Sequence, residues 1–128
     1  MGLEGQFPQG IGKCSSLTGL DLLGNELSGP IPSNISNILP YVTSLKLSSN
    51  KFSGEISKSI ANCSFLNILL LDNNQLTGHI PPQIGLLNRI RTFSVAKNLL
   101  YGPVPSFART NFSSDSFANN FGLCGSPL

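Results

Sequence analysis

Apolar and polar residues alternate in short segments along this chain, and the same segment returns at a nearly constant interval. Each copy follows the form Leu-x-x-Leu-x-Leu, with Val, Ile or Phe at some places, and an Asn stands three positions after its last apolar residue. Alternation with a period of two is typical of a short β-strand that turns one face towards a core. The pattern therefore predicts a series of short strands, one in each copy.

Four asparagines mark the copies, at spacings of 25, 24 and 24 residues. Apolar residues and a Gly recur at fixed offsets from each Asn, in the sets Leu17, Leu20, Leu22, Asn25, Leu27 and Gly29; Val42, Leu45, Leu47, Asn50, Phe52 and Gly54; Leu66, Leu69, Leu71, Asn74, Leu76 and Gly78; and Ile90, Phe93, Val95, Asn98, Leu100 and Gly102. A partial copy precedes them at Gly5, Phe7, Pro8 and Ile11. The extra residue of the first full copy predicts a longer loop near 37–40.

The repeated Asn and Gly have structural roles that the frame predicts. An Asn amide at a turn can hydrogen-bond backbone groups of the neighbouring coil, and a Gly permits a backbone geometry that a Cβ would obstruct. We therefore expect Asn25, Asn50, Asn74 and Asn98 to be structural residues. One coil cannot bury its apolar edge alone, so about three or more must stack into a continuous core.

Beyond the Gly, the frame continues as x-Ile/Val-Pro at 29–32, 78–81 and 102–105, whereas the copy at 54–57 has Ser in place of Pro. With Leu/Phe-Ser/Thr-Gly before it, this frame is similar to the plant-specific leucine-rich repeat. We therefore expect a leucine-rich-repeat solenoid of about five coils. A short parallel β-sheet should form its concave face, with 3-10 and irregular turns on the convex face.

The 128 residues suffice for a single domain. Its predicted parts are a partial first coil at 1–16, full coils at 17–41, 42–65, 66–89 and 90–105, and a truncated C-terminal cap at 106–128. The segment 117–125 resembles the C-terminal cap of plant receptor ectodomains, in which the cap Cys pairs with a second Cys a few residues on; no such residue follows Cys124. That family also has a helical N-terminal cap with a cysteine pair and often a Trp, which is missing here. The chain is therefore expected to be a fragment, or a reading frame begun at an internal Met.

Composition and charge narrow the classes of function. Only 11% of the residues are charged and the net charge is +2, with no basic run of the kind that follows a phosphate backbone. The sequence contains no run of roughly 18 apolar residues, the length that would predict a membrane span. The N-terminus also lacks the basic and apolar regions of a signal peptide.

Residues with reactive side chains are too few and too scattered to predict a catalytic or metal site. The one histidine, His79, lies in a Gly-x-Ile-Pro turn, and three cysteines give no metal-ligand spacing. Cys14 and Cys63 are equivalent positions two coils apart, roughly 10 Å at strand spacing, whereas a disulfide needs Cα atoms within about 7 Å. We expect separate, buried thiols, and no cofactor, metal, small-molecule substrate or nucleic acid as a ligand.

Three sequons, at Asn34, Asn62 and Asn111, are candidate N-glycosylation sites. The composition alone would give about two such sequons by chance, so they support secretion only weakly. The plant-type repeat supports an extracellular location more strongly.

Partner-binding residues are expected at outward positions of the concave strands. Equivalent positions of successive coils form columns, which are Gly19, Ser44, Ile68 and Thr92; Asp21, Lys46, Leu70 and Ser94; and Leu23, Ser48, Asp72 and Ala96. Ile68 and Leu70 would be exposed apolar residues on one strand, which favours contact with a partner. Asp72 and Arg91 belong to the same candidate surface.

A fourth column lies just before the strands and consists of Ser16, Tyr41, Phe65 and Arg89. Protein interfaces favour Tyr, Phe and Arg in such clusters. Two interpretations stay open: contact with a partner, or packing of Tyr41 and Phe65 against the edge of the sheet.

Four phrases carry a narrower signal: CSSLTGLDL at 14–22, SGPIPSNIS at 28–36, FLNIL at 65–69 and RTFSV at 91–95. They are similar to the ectodomains of plant receptor-like kinases of the BIR group, the SERK-interacting receptor pseudokinases, and the resemblance covers the whole chain. It implies a short ectodomain in a protein with one membrane span and a cytoplasmic kinase-like domain. It also implies negative control of immune or hormone signalling by sequestering a SERK co-receptor ectodomain. Family contacts include a Phe and an Arg one coil apart, which match Phe65 and Arg89.

The sequence thus predicts a protein–protein interaction module without enzymatic activity, located in its parent protein at the extracellular face of the plasma membrane. An alternative is a secreted inhibitor of a cell-wall-degrading enzyme, of the polygalacturonase-inhibitor type, although those inhibitors have more coils. A peptide-hormone receptor would need a longer concave surface. An enzyme is the least supported class, because no catalytic set can be assembled.

Overall fold

The computed structural model describes residues 2–14, 16–108 and 110–128, which wind in successive coils and form two parallel sheets, of four and six strands. The first sheet comprises β2 (Gly19–Asp21), β4 (Ser44–Lys46), β6 (Ile68–Leu70) and β8 (Thr92–Ser94). The second comprises β1 (Glu4–Gly5), β3 (Glu26–Pro30), β5 (Lys51–Glu55), β7 (Gln75–Gly78), β9 (Leu99–Pro103) and β10 (Gly122–Cys124). Helical turns complete the coils: the 3-10 turns η1 (Gln9–Lys13), η2 (Lys58–Asn62), η3 (Pro82–Leu86) and η4 (Ser114–Ser116), and the α-helical turn α1 (Ile35–Ile38). None of the helices in these ranges is long and apolar enough to cross a bilayer.

The first sheet forms from the alternating segments that precede each Asn, in the order β2-β4-β6-β8. Leu45 and Leu69 are paired in register and fully buried, and Phe93 continues the row on the next strand. Their neighbours in each strand point to the opposite face, as a two-residue period requires. The predicted solenoid with a short parallel sheet is therefore confirmed.

The second sheet was not predicted, because the residues after each Asn were expected to form only turns. Its order is β1-β3-β5-β7-β9-β10. Each of its longer strands buries one apolar side chain before the Gly, such as Leu76 in β7 or Leu100 in β9. One buried residue gives too short an alternation to indicate a strand. Backbone pairing with the adjacent coils makes these segments strands.

Side-chain amides of the repeated asparagines connect each coil to the one before it. Asn98 is 4% exposed, and its Oδ1 accepts a hydrogen bond from the backbone N–H of Leu76 (2.9 Å). Its Nδ2 donates to the carbonyls of Leu71 and Val95, at 3.0 Å each. Corresponding bonds are made in the earlier coils by Asn25, Asn50 and Asn74. A buried backbone group without a partner costs about 1–3 kcal/mol, so this asparagine ladder stabilises every step of the stack.

The asparagine ladder extends one coil beyond the copies recognised in the sequence. Asn120 Oδ1 accepts from the N–H of Leu100 (3.1 Å), and its Nδ2 donates to the carbonyls of Val95 (2.9 Å) and Phe117 (3.1 Å). Phe117 is buried and stands three residues before Asn120, as Val95 stands before Asn98. The C-terminal cap is therefore a last, degenerate coil, and its shorter spacing of 22 residues from Asn98 concealed it.

The Gly of each Gly-x-Ile/Val-Pro segment lies under a side chain of the preceding coil in the later repeats. Gly78 has a φ of 77°, which residues with a Cβ rarely adopt. A Cβ on Gly78 would also come within 2.8 Å of Glu55 Cγ, and one on Gly102 within 2.7 Å of His79 Cδ2. The positive φ thus favours Gly at this position, and a Cβ would also require the neighbouring side chain to move.

The extra residue of the first full copy changes the type of turn. In α1 the N–H groups of Ile38 and Leu39 donate to the carbonyls of Asn34 and Ile35, four residues back (3.1 and 2.9 Å). In the following coils, one residue shorter, the 3-10 turns η2 and η3 occupy this place. An α-helical ring contains one more residue than a 3-10 ring. The predicted longer loop is therefore an α-helical turn.

The two equivalent cysteines differ in burial and do not form a disulfide. Cys63 is fully buried, whereas Cys14 is exposed, so the prediction of a buried thiol is wrong for Cys14. The physical reason is the number of neighbouring coils: η2 packs between α1 and η3, but η1 contacts α1 alone among the described turns.

Asn98→Ala is expected to lower the free energy of unfolding by about 3 kcal/mol, because it removes the partner of one buried N–H and two carbonyls. The matched control is Asn37→Ala on the exposed side of α1, which should change that free energy by less than about 0.5 kcal/mol. Urea unfolding followed by circular dichroism measures both variants. Wild-type stability of Asn98→Ala would contradict a structural ladder.

Gly85→Ala and Gly12→Ala form a second matched pair, since each Gly follows an Ile in an equivalent 3-10 turn. A Cβ on Gly85 would lie 2.0 Å from the carbonyl oxygen of Ser106, whereas one on Gly12 would approach only Ile38, at 3.5 Å. We expect overpacking to cost Gly85→Ala about 2 kcal/mol of stability, and Gly12→Ala to stay within about 0.5 kcal/mol. The same urea unfolding compares them, and equal stabilities would show that the contact with Ser106 is not rigid.

Candidate protein-binding surface

Tyr41, Phe65 and Arg89 form a continuous row of exposed side chains, called here the aromatic–arginine stack. Tyr41 is 54% exposed and Phe65 is 37% exposed, and Arg89 is exposed beside them. The ring centroids of Tyr41 and Phe65 lie 6.2 Å apart, with the ring planes at 42°. Arg89 Cζ lies 5.2 Å from the Phe65 centroid, within cation–π range. The aromatic rings therefore pack against each other and still present apolar surface to solvent.

The regular spacing of the coils assembles this stack. Its three members each stand nine positions before the ladder Asn of their own coil. Each also directly precedes a buried residue, namely Val42, Leu66 or Ile90. Because the buried residue points into the core, the residue before it is directed outwards. Their role in binding a partner stays a prediction.

The backbone next to Arg89 is fixed by Asn67 of the preceding coil. Asn67 Nδ2 donates a hydrogen bond to the Arg89 carbonyl (3.0 Å). The Asn67 carbonyl accepts from the N–H groups of Arg91 (2.8 Å) and Thr92 (3.1 Å). Arg89 and Arg91 are exposed and flank the buried Ile90. Both arginines therefore project from one well-anchored segment.

The strand positions predicted to contact a partner are less accessible than the stack. Ile68 and Leu70 are half-buried instead of exposed, because strands β4 and β8 flank them on both sides. Asp72 is also half-buried, and its Oδ1 accepts a 2.5 Å hydrogen bond from Ser48 Oγ. These three residues can supply only part of their surface to a partner.

All three sequon asparagines are exposed. Asn34 directly precedes α1 and Asn62 is the last residue of η2, so both lie at the ends of helical turns. Asn111 lies in the cap segment before η4. Their exposure is compatible with attached glycans, and their glycosylation stays a prediction.

The second sheet carries an exposed apolar patch that was not predicted from the sequence. Leu99 and Tyr101 of β9 are 57% and 53% exposed, and Phe121, just before β10, is 99% exposed. The His79 ring contacts Tyr101 edge to face, with centroids 4.6 Å apart. Without a predicted strand, inward and outward positions could not be distinguished here. The apolar run Leu99-Leu100-Tyr101 was the feature of the sequence that could have indicated this patch.

Metal-ligating side chains do not converge in the described part of the chain. No three His, Cys, Asp or Glu residues within those ranges cluster as metal ligands would. Burial raises the pKa of the Cys63 thiol to about 11, and a buried thiol of this kind is a poor nucleophile.

Comparison with known proteins identifies similar chains. The Leucine Rich Repeat family model matches residues 16–38, 41–63 and 65–87. An Arabidopsis thaliana protein described as a "probably inactive leucine-rich repeat receptor-like protein kinase" is 54% identical over 128 residues, covering 99% of this chain and 21% of that protein. The Arabidopsis inactive LRR receptor-like serine/threonine-protein kinase BIR2 is 49% identical over 129 residues, covering 100% of this chain and 21% of BIR2.

Two solved structures from Arabidopsis thaliana share the whole fold. The crystal structure of the BIR2 ectodomain has a TM-score of 0.96 at 49% identity, covering 100% of this chain and 67% of that chain. A chain in the crystal structure of the BIR3–SERK2 complex has a TM-score of 0.96 at 48% identity, covering 100% of this chain and 68% of that chain. The chain spans about a fifth of the length of the two curated Arabidopsis relatives described above.

Cys63 is expected to resist thiol reagents in the folded, fully reduced protein, whereas the exposed Cys14 and Cys124 react. With a pKa of about 11, only about a thousandth of Cys63 is thiolate at pH 8. Titration with DTNB at pH 8 should show two fast thiols and a third only in denaturant. Cys63→Ser should remove the slow thiol, and three fast thiols in the folded protein would contradict its burial.

Proposed function

Because this chain belongs to the leucine-rich-repeat family, we propose that it acts as a protein-binding segment of a plant receptor ectodomain. Its partner is the ectodomain of a SERK-type co-receptor, and its place is the extracellular face of the plasma membrane. Sequestering that partner would regulate immune or hormone signalling. The segment itself works by binding and not by catalysis, in keeping with the name of BIR2 as an inactive receptor-like kinase.

The aromatic–arginine stack is the observation that carries this proposal. It combines two exposed rings and a guanidinium in contact with one of them. Aromatic and Arg side chains contribute most of the free energy in many protein interfaces. Coils on both sides anchor the stack, so little conformational entropy is lost when a partner covers it.

Similarity to the BIR3–SERK2 complex supports the choice of partner. A chain of that complex matches the full length of the present chain, at 48% identity. The relatives described above are receptor kinases, which favours a receptor ectodomain over the alternative of a secreted enzyme inhibitor. A SERK ectodomain is therefore the first partner to test.

The test compares binding of wild type and of Phe65→Ala/Arg89→Ala to an immobilised SERK2 ectodomain. We expect the double variant to bind at least about 30-fold more weakly, because it removes two central interface side chains. Biolayer interferometry measures the dissociation constants. The matched control is Lys51→Ala/Phe121→Ala, which removes the same kinds of side chain from the second-sheet segments and should bind as wild type does.

Circular dichroism first establishes that all three proteins are folded. Unchanged binding by the folded Phe65→Ala/Arg89→Ala variant would show that the stack is not the contact surface. Absence of binding by the wild type would contradict the choice of a SERK-type partner.

A further inference from the structure

A groove runs along the solenoid where the strands of the second sheet pass into the helical turns, and it is called here the corner groove. Its volume is about 850 Å³. Buried residues of three successive coils, Pro32, Ile56 and Pro81, lie along it. Exposed residues precede and follow this buried row in the sequence and form the two walls of the groove.

The wall on the side of the second sheet ends in an exposed aromatic ring. Glu55 lies next to Gly78 of the following coil, and His79 likewise lies next to Gly102. The His79 ring contacts the ring of Tyr101, with centroids 4.6 Å apart and the planes at 76°. This contact restricts the orientation of Tyr101, which is still 53% exposed. An apolar ring of fixed orientation therefore faces the groove.

The opposite wall carries a glycosylation sequon. Asn34 lines the groove and is exposed, directly before α1. The backbone around it is anchored on both sides, because Ile35 is fully buried and the Ser33 carbonyl accepts a hydrogen bond from Ser59 Oγ. A glycan attached to the Asn34 side chain would therefore begin at the groove.

The chemistry of the lining suits a carbohydrate. Glu55 and Lys58 place one negative and one positive group in the groove, so its charges nearly balance and favour an uncharged ligand over an ionic one. Hydroxyl groups of a sugar can hydrogen-bond the carboxylate, the ammonium group and the hydroxyl of Ser57. The C–H face of a sugar ring can pack on Tyr101, because the face of an aromatic ring is electron-rich.

Covalent attachment explains how such an open groove could be occupied. A free sugar would be held weakly, whereas a tethered one has an effective concentration in the millimolar range. Tyr101 belongs to the third coil after that of Asn34, which corresponds to about 14 Å at strand spacing. The first few sugars of an N-linked glycan can span this distance.

We infer that the corner groove holds an N-linked glycan attached to Asn34, with its sugars packed against Tyr101. This surface is separate from the aromatic–arginine stack, so the inference needs only the extracellular place of the chain and not its partner. The glycan would connect four coils and cover the apolar ring of Tyr101.

Occupancy of the sequon is tested first. The full chain is secreted behind a cleavable signal from cells that attach only high-mannose glycans, and mass spectrometry of its peptides measures modification at Asn34. We expect most of the secreted protein to carry a glycan there. Unmodified Asn34 would overturn the inference and leave the proposed SERK-type partner untouched.

Contact with Tyr101 is tested by the rate at which endoglycosidase H removes the Asn34 glycan from the folded protein. Release from wild type should be at least about fivefold slower than release from Tyr101→Ala, because a packed sugar must first leave the ring. Tyr101→Phe keeps the ring and should match wild type. Phe121→Ala, which removes an exposed ring outside the groove lining, is the control and should also match wild type.

Thermal unfolding of the glycosylated proteins gives a second measurement that does not depend on enzyme access. Asn34→Gln should lower the melting temperature by about 3 °C when Tyr101 is present, and by clearly less in Tyr101→Ala. Asn62→Gln is the matched control, since the lining around that sequon contains no aromatic ring, and its effect should be the same in both backgrounds. Circular dichroism establishes that every variant is folded. Equal release rates in wild type and Tyr101→Ala, or an effect of Asn34→Gln that is independent of Tyr101, would overturn the inference.

Discussion

Between adjacent coils, the backbone leaves the first sheet in a turn whose carbonyl groups are buried and have no strand partner. The ladder asparagines provide those partners. Asn98, for example, accepts from the N–H of one coil and donates to carbonyls of that coil and its own. An unpaired buried group is costly, so each coil must stack on the previous one in the same register. This requirement sets the position of nearly every other residue.

Fixed register converts distance along the sequence into position on a surface. Residues at one offset from the ladder Asn lie one strand apart, so Tyr41, Phe65 and Arg89 meet although 24 residues separate each from the next. The core positions of the coils are nearly identical, whereas the outward positions differ from coil to coil. A solenoid can therefore change its binding surface without disturbing its core.

Asn67 shows how scaffold and surface are connected. Its backbone follows the regular stacking pattern, since the Asn67 carbonyl accepts hydrogen bonds from backbone N–H groups of the next coil, as the Thr43 carbonyl does. Its side chain adds a bond to the Arg89 carbonyl that the frame does not require. Through these bonds, the preceding coil holds in place the segment that presents Arg89 and Arg91.

The sequence by itself determined the solenoid, the first sheet and the column of Tyr41, Phe65 and Arg89, because strict offsets from each Asn dictate which side chains share a face. Only the tertiary structure decided the second sheet, whose strands depend on backbone pairing between coils and carry too few apolar residues to form a pattern. It also decided that Asn120 continues the ladder and that Cys14 is exposed, since burial depends on neighbouring coils. The depression beside the aromatic–arginine stack likewise forms only where Asn67 and Thr110 of the cap segment meet Arg89 and Arg91.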